Sequence, residues 1–338
     1  MPLPRIAIIG AGIAGLTAAT VLSPHAEVLV VDKSRGVGGR MASRRAGEFC
    51  FDHGAQFFTA RSKAFRDFLQ RWIATGDVSV WTPRVLTLEA GAKPYRRDWF
   101  EPHYVGIPSM TALPKALAAA LTLKLQWEVA RVERSGVHWW LHATDGSSEG
   151  PFDWVIATAP APQILQWFSP TFAGMHALQQ VHYAPCFALM LGFTELPELR
   201  WDAARVKSSP LDWIVRGNHG SQQSHGHSLL LHSTHKWASE QLEADSGSIT
   251  TTLLNALDAA VGQQLPTPQL SLLNRWRYAA ATHTTESHCE LDVANQLGAC
   301  GDWSVFSDVD NGGARVESAF QSARALANKL LALPGFIA

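Results

Sequence analysis

The chain has 338 residues, of which 46% are hydrophobic and 17% are charged, and its formal net charge at pH 7 is -1. This composition indicates a globular protein with room for two domains and excludes a disordered chain. A nearly neutral protein has no general attraction to nucleic acid or to acidic membranes, so neither is an expected partner. The 4 cysteines form no CxxC pair, which argues against a zinc knuckle or a thioredoxin-type site and favours reduced thiols in a cytoplasmic protein.

The chain begins with a predicted strand, helix and second strand. Apolar residues predict a buried parallel strand at 5–9, a helix at 13–22, and a further strand at 27–31 that ends at Asp32. The uncharged run at 6–22 also has features of a signal peptide or a membrane span. Three glycines interrupt that run, however, and a strand–turn–helix explains the same residues better.

Hydrophobic periodicity predicts the remaining elements. They are helices at 64–73, 110–121, 248–261 and 316–331, and strands at 125–134, 138–143, 153–157, 187–193, 228–232 and 297–300. Ser109 is the expected cap of the second of these helices, and Ser135-Gly136 indicates a hairpin. Between residues 160 and 283 Trp, Pro and His become frequent, which indicates a second, sheet-containing domain; the segment 218–228 within it is expected to be an exposed loop.

Residues 10–15 read Gly-Ala-Gly-Ile-Ala-Gly and fit the pattern GxGxxG. The pattern alone is weak, but here it follows a predicted strand, opens a predicted helix and meets Asp32 at the end of the next strand, which is the context of a dinucleotide site. Gly10 permits the tight turn, Gly12 lets a pyrophosphate approach the backbone, and Gly15 lets the helix pack against the strand. Free N–H groups at the helix start would face the phosphates, and the Asp32 carboxylate would accept hydrogen bonds from ribose hydroxyls.

Residues 33–41, which read Lys-Ser-Arg-Gly-Val-Gly-Gly-Arg-Met, distinguish a flavin site from a nicotinamide site. They resemble the extended signature of the flavin amine oxidase and phytoene desaturase superfamily, in which the second glycine pair and the arginine wrap the FAD pyrophosphate. Glycines expose backbone donors, and Arg40 offers a charged, two-pronged donor to phosphate oxygens. This segment disfavours a simple NAD dehydrogenase.

Two C-terminal segments resemble the flavin motif of the same superfamily. Residues 300–303 read Cys-Gly-Asp-Trp after a predicted strand, and residues 312–319 read Gly-Gly-Ala-Arg-Val-Glu-Ser-Ala at the start of the last helix. The resemblance implies that Asp302 holds the ribityl chain or a phosphate and that the helix start faces the flavin pyrimidine. A positive helix end there would stabilise an anionic reduced flavin and so favour hydride acceptance.

Residues 52–61, which read Asp-His-Gly-Ala-Gln-Phe-Phe-Thr-Ala-Arg, resemble a segment of the bacterial renalases, a family of FAD enzymes. Further segments agree with that family over essentially the full length: 81–83, 157–163, 209–213, 275–279 and 300–303. The resemblance implies oxidation of isomeric dihydro-NAD(P), with the hydride at ring position 2 or 6, to NAD(P)+. It also implies that O2 reoxidises the flavin and is reduced to hydrogen peroxide. One departure is that the segment 304–314 is longer than the turn expected there.

The motifs and the resemblance assign residues to two sets. The FAD-binding residues are expected to be Gly10, Gly12, Ile13, Ala14, Gly15, Asp32, Lys33, Gly39, Arg40, Ala55, Gln56, Val129, Thr158, Gly301, Asp302, Arg315 and Val316. The substrate-binding residues are expected to be Phe57, Phe58, Thr59, Ala60, Arg61, Trp276, Tyr278 and Trp303. No metal site is expected, because the histidines at 219, 225 and 227 have no Asp, Glu or Cys frame around them.

The expected fold class is α/β. A discontinuous Rossmann-like FAD-binding domain would span 1–75, 106–160 and 286–338, and a sheet-containing substrate domain 76–105 and 161–285. A dihydropyridine already carries a transferable hydride, so no catalytic base is assigned. Aromatic residues would stack the substrate ring against the flavin, and Arg61 would orient a phosphate or the carboxamide.

Two other functions stay open at this point. A flavin amine oxidase would share the fold, although the 4 tyrosines show no motif of an aromatic cage. A non-catalytic, flavin-binding redox sensor is the second alternative, and the aromatic segments 57–61 and 276–278 argue against it.

Overall fold

The structure is a computed structural model that describes residues 2–98, 101–217, 227–304, 316–334 and 336. Its helices are α1 (Ile13–Leu22), α2 (Lys63–Thr75), α3 (Ala112–Ala118), α4 (Ala161–Trp167), α5 (Met175–Gln179), α6 (His235–Glu240), α7 (Ser246–Val261) and α8 (Val316–Leu331). None of these helices in the described part of the chain has the length and apolar character needed to cross a membrane.

The strands, in chain order, are β1 (Arg5–Ile9), β2 (Glu27–Val31), β3 (Arg44–Ala46), β4 (Phe49–Phe51), β5 (Phe58–Thr59), β6 (Val78–Trp81), β7 (Val85–Leu88), β8 (Tyr95–Arg96), β9 (His103–Gly106), β10 (Thr122–Lys124), β11 (Val129–Ser135), β12 (His138–Ala143), β13 (Ser148–Phe152), β14 (Trp154–Ala157), β15 (His182–Phe193), β16 (Ala203–Val206), β17 (Leu211–Arg216), β18 (His227–Ser233), β19 (Leu270–His283), β20 (Glu290–Asp292) and β21 (Leu297–Ala299). The chain divides into two compact units, each assembled from segments distant in sequence. The first unit comprises Met1–Gly39, Pro114–His182 and Ala280–Ala338, and the second comprises Arg40–Leu113 and Tyr183–Ala279.

The first unit is built on a sheet with the strand order β10-β2-β1-β14-β21-β20. β1 pairs in parallel with β2 and with β14, so that Ile8 lies beside Val30 and Ile156, and β20 adds an antiparallel edge. β1 and β14 are buried along almost their whole length, as expected for parallel strands covered on both faces. Because parallel strands end at the same edge, the loop after β1 and the residue after β2 lie side by side.

The predicted hairpin in this unit is present. β11 pairs antiparallel with β12, and Gly136 takes a positive φ of 61° in the turn between them. The strand–helix–strand unit β1-α1-β2 and helix α8 also have the predicted bounds at 5–31 and 316–331. The helix expected at 110–121 is shorter than predicted, because α3 covers only Ala112–Ala118.

The second unit contains a larger sheet with the order β19-β15-β18-β17-β16-β7-β8. Neighbours from β15 to β16 run antiparallel, whereas β7 joins β16 in parallel. Leu189 and Leu191 of β15 pack with Leu253 and Leu257 of α7 in its core. A smaller sheet, β5-β9-β6, carries the segment around Phe58.

The boundaries of the units differ from the expected domain boundaries. Residues 40–75 and 106–113 belong to the second unit, and residues 161–182 and 280–285 to the first. Packing explains both shifts. Phe49 and Phe51 share a core with Met190, while the indole Nε1 of Trp167 donates to the Val129 carbonyl at 3.2 Å.

Candidate functional site

The glycine loop after β1 has the geometry of a phosphate-binding turn. Gly10 takes a φ of +113° and its N–H donates to the Val31 carbonyl at 2.8 Å. A Cβ on Gly15 would lie 1.9 Å from the Gly10 carbonyl oxygen, so only glycine lets α1 start this close to the loop. A Cβ on Gly12 would meet nothing within 4 Å. The space in front of Gly12 and the start of α1 is therefore open for a ligand.

Asp32 lies beside this loop and is held by backbone donors. One carboxylate oxygen accepts from the Ala11 N–H and the other from the Ser34 N–H, both at 2.7 Å. Each oxygen keeps a second lone pair that a ribose hydroxyl can use. Lys33 differs, because its ammonium lies 3.4 Å from a carboxylate oxygen of Glu128, so that its side chain already has an anionic partner.

The second glycine loop packs against the first. The Gly38 N–H donates to the Ala11 carbonyl at 2.8 Å, and Gly12 and Gly38 form a parallel bridge. Gly39 has a φ of +54°, and a Cβ there would lie 3.5 Å from the Gly12 Cα. Two glycine loops thus present adjacent backbone, as a pyrophosphate site requires.

Thr158 and Val129 lie in the first unit with their polar groups engaged by protein. The Thr158 hydroxyl is 3.0 Å from the Ile9 carbonyl and 3.1 Å from that of Gly10, so it supports the glycine turn. Val129 is buried, and its carbonyl accepts from Trp167. Ile13 and Ala14 are buried at the start of α1.

The Gly301-Asp302-Trp303 motif follows β21, and its two side chains are buried. Asp302 is only 4% exposed and Trp303 is completely buried. The indole Nε1 of Trp303 donates to the Ala159 carbonyl at 3.2 Å. Trp303 therefore packs in the core with no exposed surface, and its expected place in the substrate pocket stays a prediction.

Ser322 supports this motif, and the sequence did not reveal that role. Its hydroxyl oxygen accepts from the Gly301 N–H at 3.0 Å and donates to the His288 carbonyl at 2.9 Å. It joins the turn before Asp302 to α8, one face of which is buried. Val316 begins this helix, whereas Arg315 lies outside the described residues, as do His219 and His225.

In the second unit, several remote contacts hold the segment 52–56. The Asp52 carboxylate accepts from the Ser43 hydroxyl at 2.5 Å and from the Met110 N–H at 3.0 Å; burial raises the pKa of this carboxyl, against the effect of those hydrogen bonds. The Ala55 N–H donates to the Arg40 carbonyl at 2.8 Å. A Cβ on Gly54 would lie 1.9 Å from the same carbonyl.

His53 is the centre of these contacts. Its carbonyl accepts from the Trp276 indole N–H at 2.9 Å, and its ring stacks on that indole at 5.2 Å. The Nε2 of His232 lies 3.3 Å from the same carbonyl. Burial is the main cause that lowers the pKa of both imidazoles, to about 4 for His232. Both rings are therefore neutral at neutral pH.

Gln56 and Arg40 differ in whether a side-chain nitrogen has a hydrogen-bond partner within the described residues. Gln56 is 6% exposed, and among the described residues no group accepts a hydrogen bond from its side-chain Nε2. A buried amide nitrogen without an acceptor is costly and indicates a missing ligand. Arg40 is half-buried, and its Nη1 donates to the Ala279 carbonyl at 3.3 Å.

The two adjacent phenylalanines have different environments. Phe57 is half-buried, and its ring centroid lies 5.3 Å from that of Trp81, 5.1 Å from that of His103 and 5.7 Å from that of Trp213. Phe58 is 5% exposed, stacks on Tyr104 and packs with a tilted ring against Phe65. Phe58 is thus a core residue, and its expected role at the substrate stays a prediction. Trp81 and Trp213 were in segments that carry the family resemblance, which is the signal that could have found them.

The remaining expected substrate residues also have protein partners. Arg61 donates to both carboxylate oxygens of Glu101, at 2.7 Å each. Ala60 is buried, Thr59 is half-buried, and Tyr278 packs edge-on against Tyr183 at 5.4 Å. Within the described residues no cluster of His, Cys, Asp and Glu side chains could hold a metal ion.

Comparison with protein families decides the class of this site. Residues 8–72 match a model described as an NAD(P)-binding Rossmann-like domain, and residues 95–331 match one described as flavin containing amine oxidoreductase. The chain belongs to the flavin-containing amine oxidoreductase family. A member of this family is a flavoprotein oxidoreductase, and the open backbone at Gly12 and the flanking Asp32 fit a bound flavin dinucleotide.

The chain is similar to a curated protein and to several solved structures. Mouse (Mus musculus) renalase is 24% identical over 302 residues, which cover 82% of this chain and 85% of that protein. Among solved structures, a “Putative protoporphyrinogen oxidase” from Exiguobacterium sp. 255-15 has a TM-score of 0.77 at 12% identity, over 97% of this chain and 99% of the other. A redesigned triple mutant of putrescine oxidase has a TM-score of 0.73 at 12% identity, over 98% and 99%. These two structures share the two-domain α/β fold.

Proposed function

We propose that this protein is an FAD-dependent oxidase that converts isomeric 2- and 6-dihydro forms of NAD(P) to NAD(P)+, with O2 reduced to hydrogen peroxide. The observation that carries the proposal is the segment 52–61, whose sequence resembles that of the bacterial renalases and whose buried Gln56 amide has no acceptor in the described part of the chain. The similarity to mouse renalase over 82% of the chain supports it.

The residues of the first unit would hold FAD by its dinucleotide part. Backbone N–H groups at Gly12 and the start of α1 would bind the pyrophosphate, and Asp32 would accept from the ribose hydroxyls. Asp302 would bind the ribityl chain or a phosphate. When bound, FAD accepts the hydride and passes two electrons to O2.

The residues of the second unit would bind the substrate. Phe57, with Trp81 and Trp213 around it, offers aromatic faces for a flat dihydropyridine ring. The dihydropyridine loses a hydride and becomes an aromatic cation, so no side chain has to remove a proton. The chain's task is therefore to exclude water and to hold the donor carbon about 3–3.5 Å from the acceptor.

Anaerobic mixing of the FAD-loaded protein with each isomer tests the proposal. Loss of flavin absorbance with 2- or 6-dihydro-NAD(P), and slow or no loss with ordinary 4-dihydro-NAD(P)H and with monoamines, is the expected result. The reason is that a pocket that presents position 2 or 6 displaces position 4 by more than an ångström, which costs on the order of a hundredfold in rate. Rapid bleaching by a monoamine alone would establish an amine oxidase instead. No bleaching by any of these compounds would leave a flavin-binding sensor.

A further inference from the structure

One of the contacts that hold the segment 52–56 is made by a backbone carbonyl. The His53 carbonyl oxygen lies 2.9 Å from the Trp276 Nε1 and 3.3 Å from the His232 Nε2. Both donors come from strands of the larger sheet, β19 and β18, far from His53 in sequence. Two donors on one carbonyl restrict both the direction and the rotation of the peptide that carries it.

Gln56 lies at the end of the same segment. The next anchor after His53 is the Ala55 N–H, which is bonded to Arg40 at 2.8 Å, and Gln56 follows it directly. The Gln56 Nε2 is buried and has no acceptor among the described residues. A rotation of the His53 peptide would therefore move an amide nitrogen that is free to donate to a ligand.

We propose that Trp276 and His232 are positioning residues, which act through the His53 carbonyl to aim the Gln56 amide at a carbonyl or ring-nitrogen acceptor of the bound flavin or of its substrate. Neither residue contacts the reacting atoms in this role. The sequence predicted that Trp276 binds the substrate, whereas in this proposal it positions the His53 carbonyl. The inference rests on the proposed function only where flavin reduction by the dihydro-NAD(P) isomers is measured. The other measurements require only that the protein binds a flavin.

Trp276→Phe is the variant that separates this role from packing. Phenylalanine keeps an aromatic ring to stack on His53, 5.2 Å away in the native pair, and removes the Nε1 donor together with part of the ring volume, a loss that the control must reproduce. Trp139→Phe is the matched control. Its Nε1 donates to a backbone carbonyl, that of Asn295, at the same 2.9 Å, although Trp139 is buried and Trp276 is half-buried.

His232 is tested by a loss and a rescue. His232→Leu removes the second donor, while His232→Gln places an amide N–H where the imidazole Nε2 lies. The Gln variant should restore at least half of what the Leu variant loses. A purely structural role predicts that both variants behave alike.

The measurements are flavin reduction by the isomeric dihydro-NAD(P), FAD affinity by titration, hydrogen exchange of the Ala55 amide, and the melting temperature, all on the full chain. Trp276→Phe and Trp139→Phe should lower the melting temperature to a similar extent. Only Trp276→Phe should speed Ala55 exchange and change flavin reduction or FAD affinity, by about tenfold for a displacement below an ångström. A change in FAD affinity identifies the flavin as the acceptor, and a change in the substrate concentration for half-maximal rate identifies the substrate.

Each outcome decides the question. If Trp276→Phe matches Trp139→Phe in exchange, FAD affinity and rate, the inference is wrong. If no dihydronicotinamide reduces the wild-type flavin, the proposed function fails. FAD affinity and Ala55 exchange then still decide the inference: a change specific to Trp276→Phe supports it, and no change overturns it.

Discussion

The glycine loop of residues 10–15 and the segment of residues 52–56 are each proposed to bind a ligand, but their shapes have different origins. Local glycine conformations form most of the first, because Gly10 takes a φ of +113° and Gly15 lies against its carbonyl. Side chains from remote strands fix the second, such as Trp276, which is 223 residues from His53. The comparison indicates that a local substitution breaks the first region, whereas substitutions far away in sequence break the second.

The largest effect is expected from Gly15→Ala. The added Cβ would lie 1.9 Å from the Gly10 carbonyl oxygen, so α1 must move away from the loop at a cost of about 3 kcal/mol in the free energy of unfolding. Thermal unfolding and FAD content measure this. Gly12→Ala is the control, because nothing lies within 4 Å of its Cβ. It should leave the melting temperature of the FAD-free protein unchanged and weaken FAD binding; equal melting temperatures for the two variants would contradict the backbone account of the loop.

Asp32→Ala should weaken FAD binding by about 2 kcal/mol, the value of a charge-assisted hydrogen bond. This is roughly a 30-fold rise in the dissociation constant, measurable by titration of FAD-free protein. Asp145→Ala removes a similar bond, from the Ser147 N–H to a carboxylate at 2.8 Å, outside the proposed site. Equal FAD affinity of the two variants would show that Asp32 only shapes the loop.

Acid should destabilise the second region through His232. Burial holds the pKa of this imidazole at about 4, below its usual 6.5, so the unfolded chain binds the proton first as the pH falls. The stability contribution is therefore complete above about pH 6.5 and is lost between there and about pH 4. At about 1.4 kcal/mol per pKa unit the loss is at most roughly 3 kcal/mol; because the residue as a whole is only half-buried, we expect about 1–2 kcal/mol.

Denaturant unfolding at several pH values measures this slope. His232→Gln should flatten it, while the exposed His227 on the same strand, changed to Gln, should not. The lowered pKa of His53 acts in the same direction, and the raised pKa of Asp52 in the opposite one. A slope unaffected by His232→Gln would mean that other groups carry the acid sensitivity.

The smallest effect is expected at Arg61. Its pair with Glu101 is about one-third exposed on each side, and such a pair contributes about 0.5 kcal/mol to stability. Arg61→Ala and Glu101→Gln should therefore lower the melting temperature slightly and equally. If Arg61 also orients the substrate, Arg61→Ala should slow flavin reduction while Glu101→Gln does not. Equal rates for both variants would confine Arg61 to the ion pair.

Much of the first unit could be predicted from the sequence. The loop, α1 and the acid after β2 are specified within 32 residues, by glycines whose conformations are local and by apolar runs of strand length. Ser322 could not be predicted, because its bond to Gly301 depends on how α8 packs. The domain boundaries also differed, since the packing of Phe49 and Phe51 assigns their segment to the second unit.

By itself, the sequence determined the dinucleotide-binding unit and the family of the protein, because both depend on spacing along the chain. The tertiary structure alone determined which aromatic side chains are buried in the core. Adjacent residues of an extended segment point to opposite sides, so Phe57 meets Trp81 and Trp213 while Phe58 enters the core. Trp303 is completely buried and Trp276 donates to His53, and neither fact is encoded near those residues. Which face is open depends on the register of strands that are far apart in sequence.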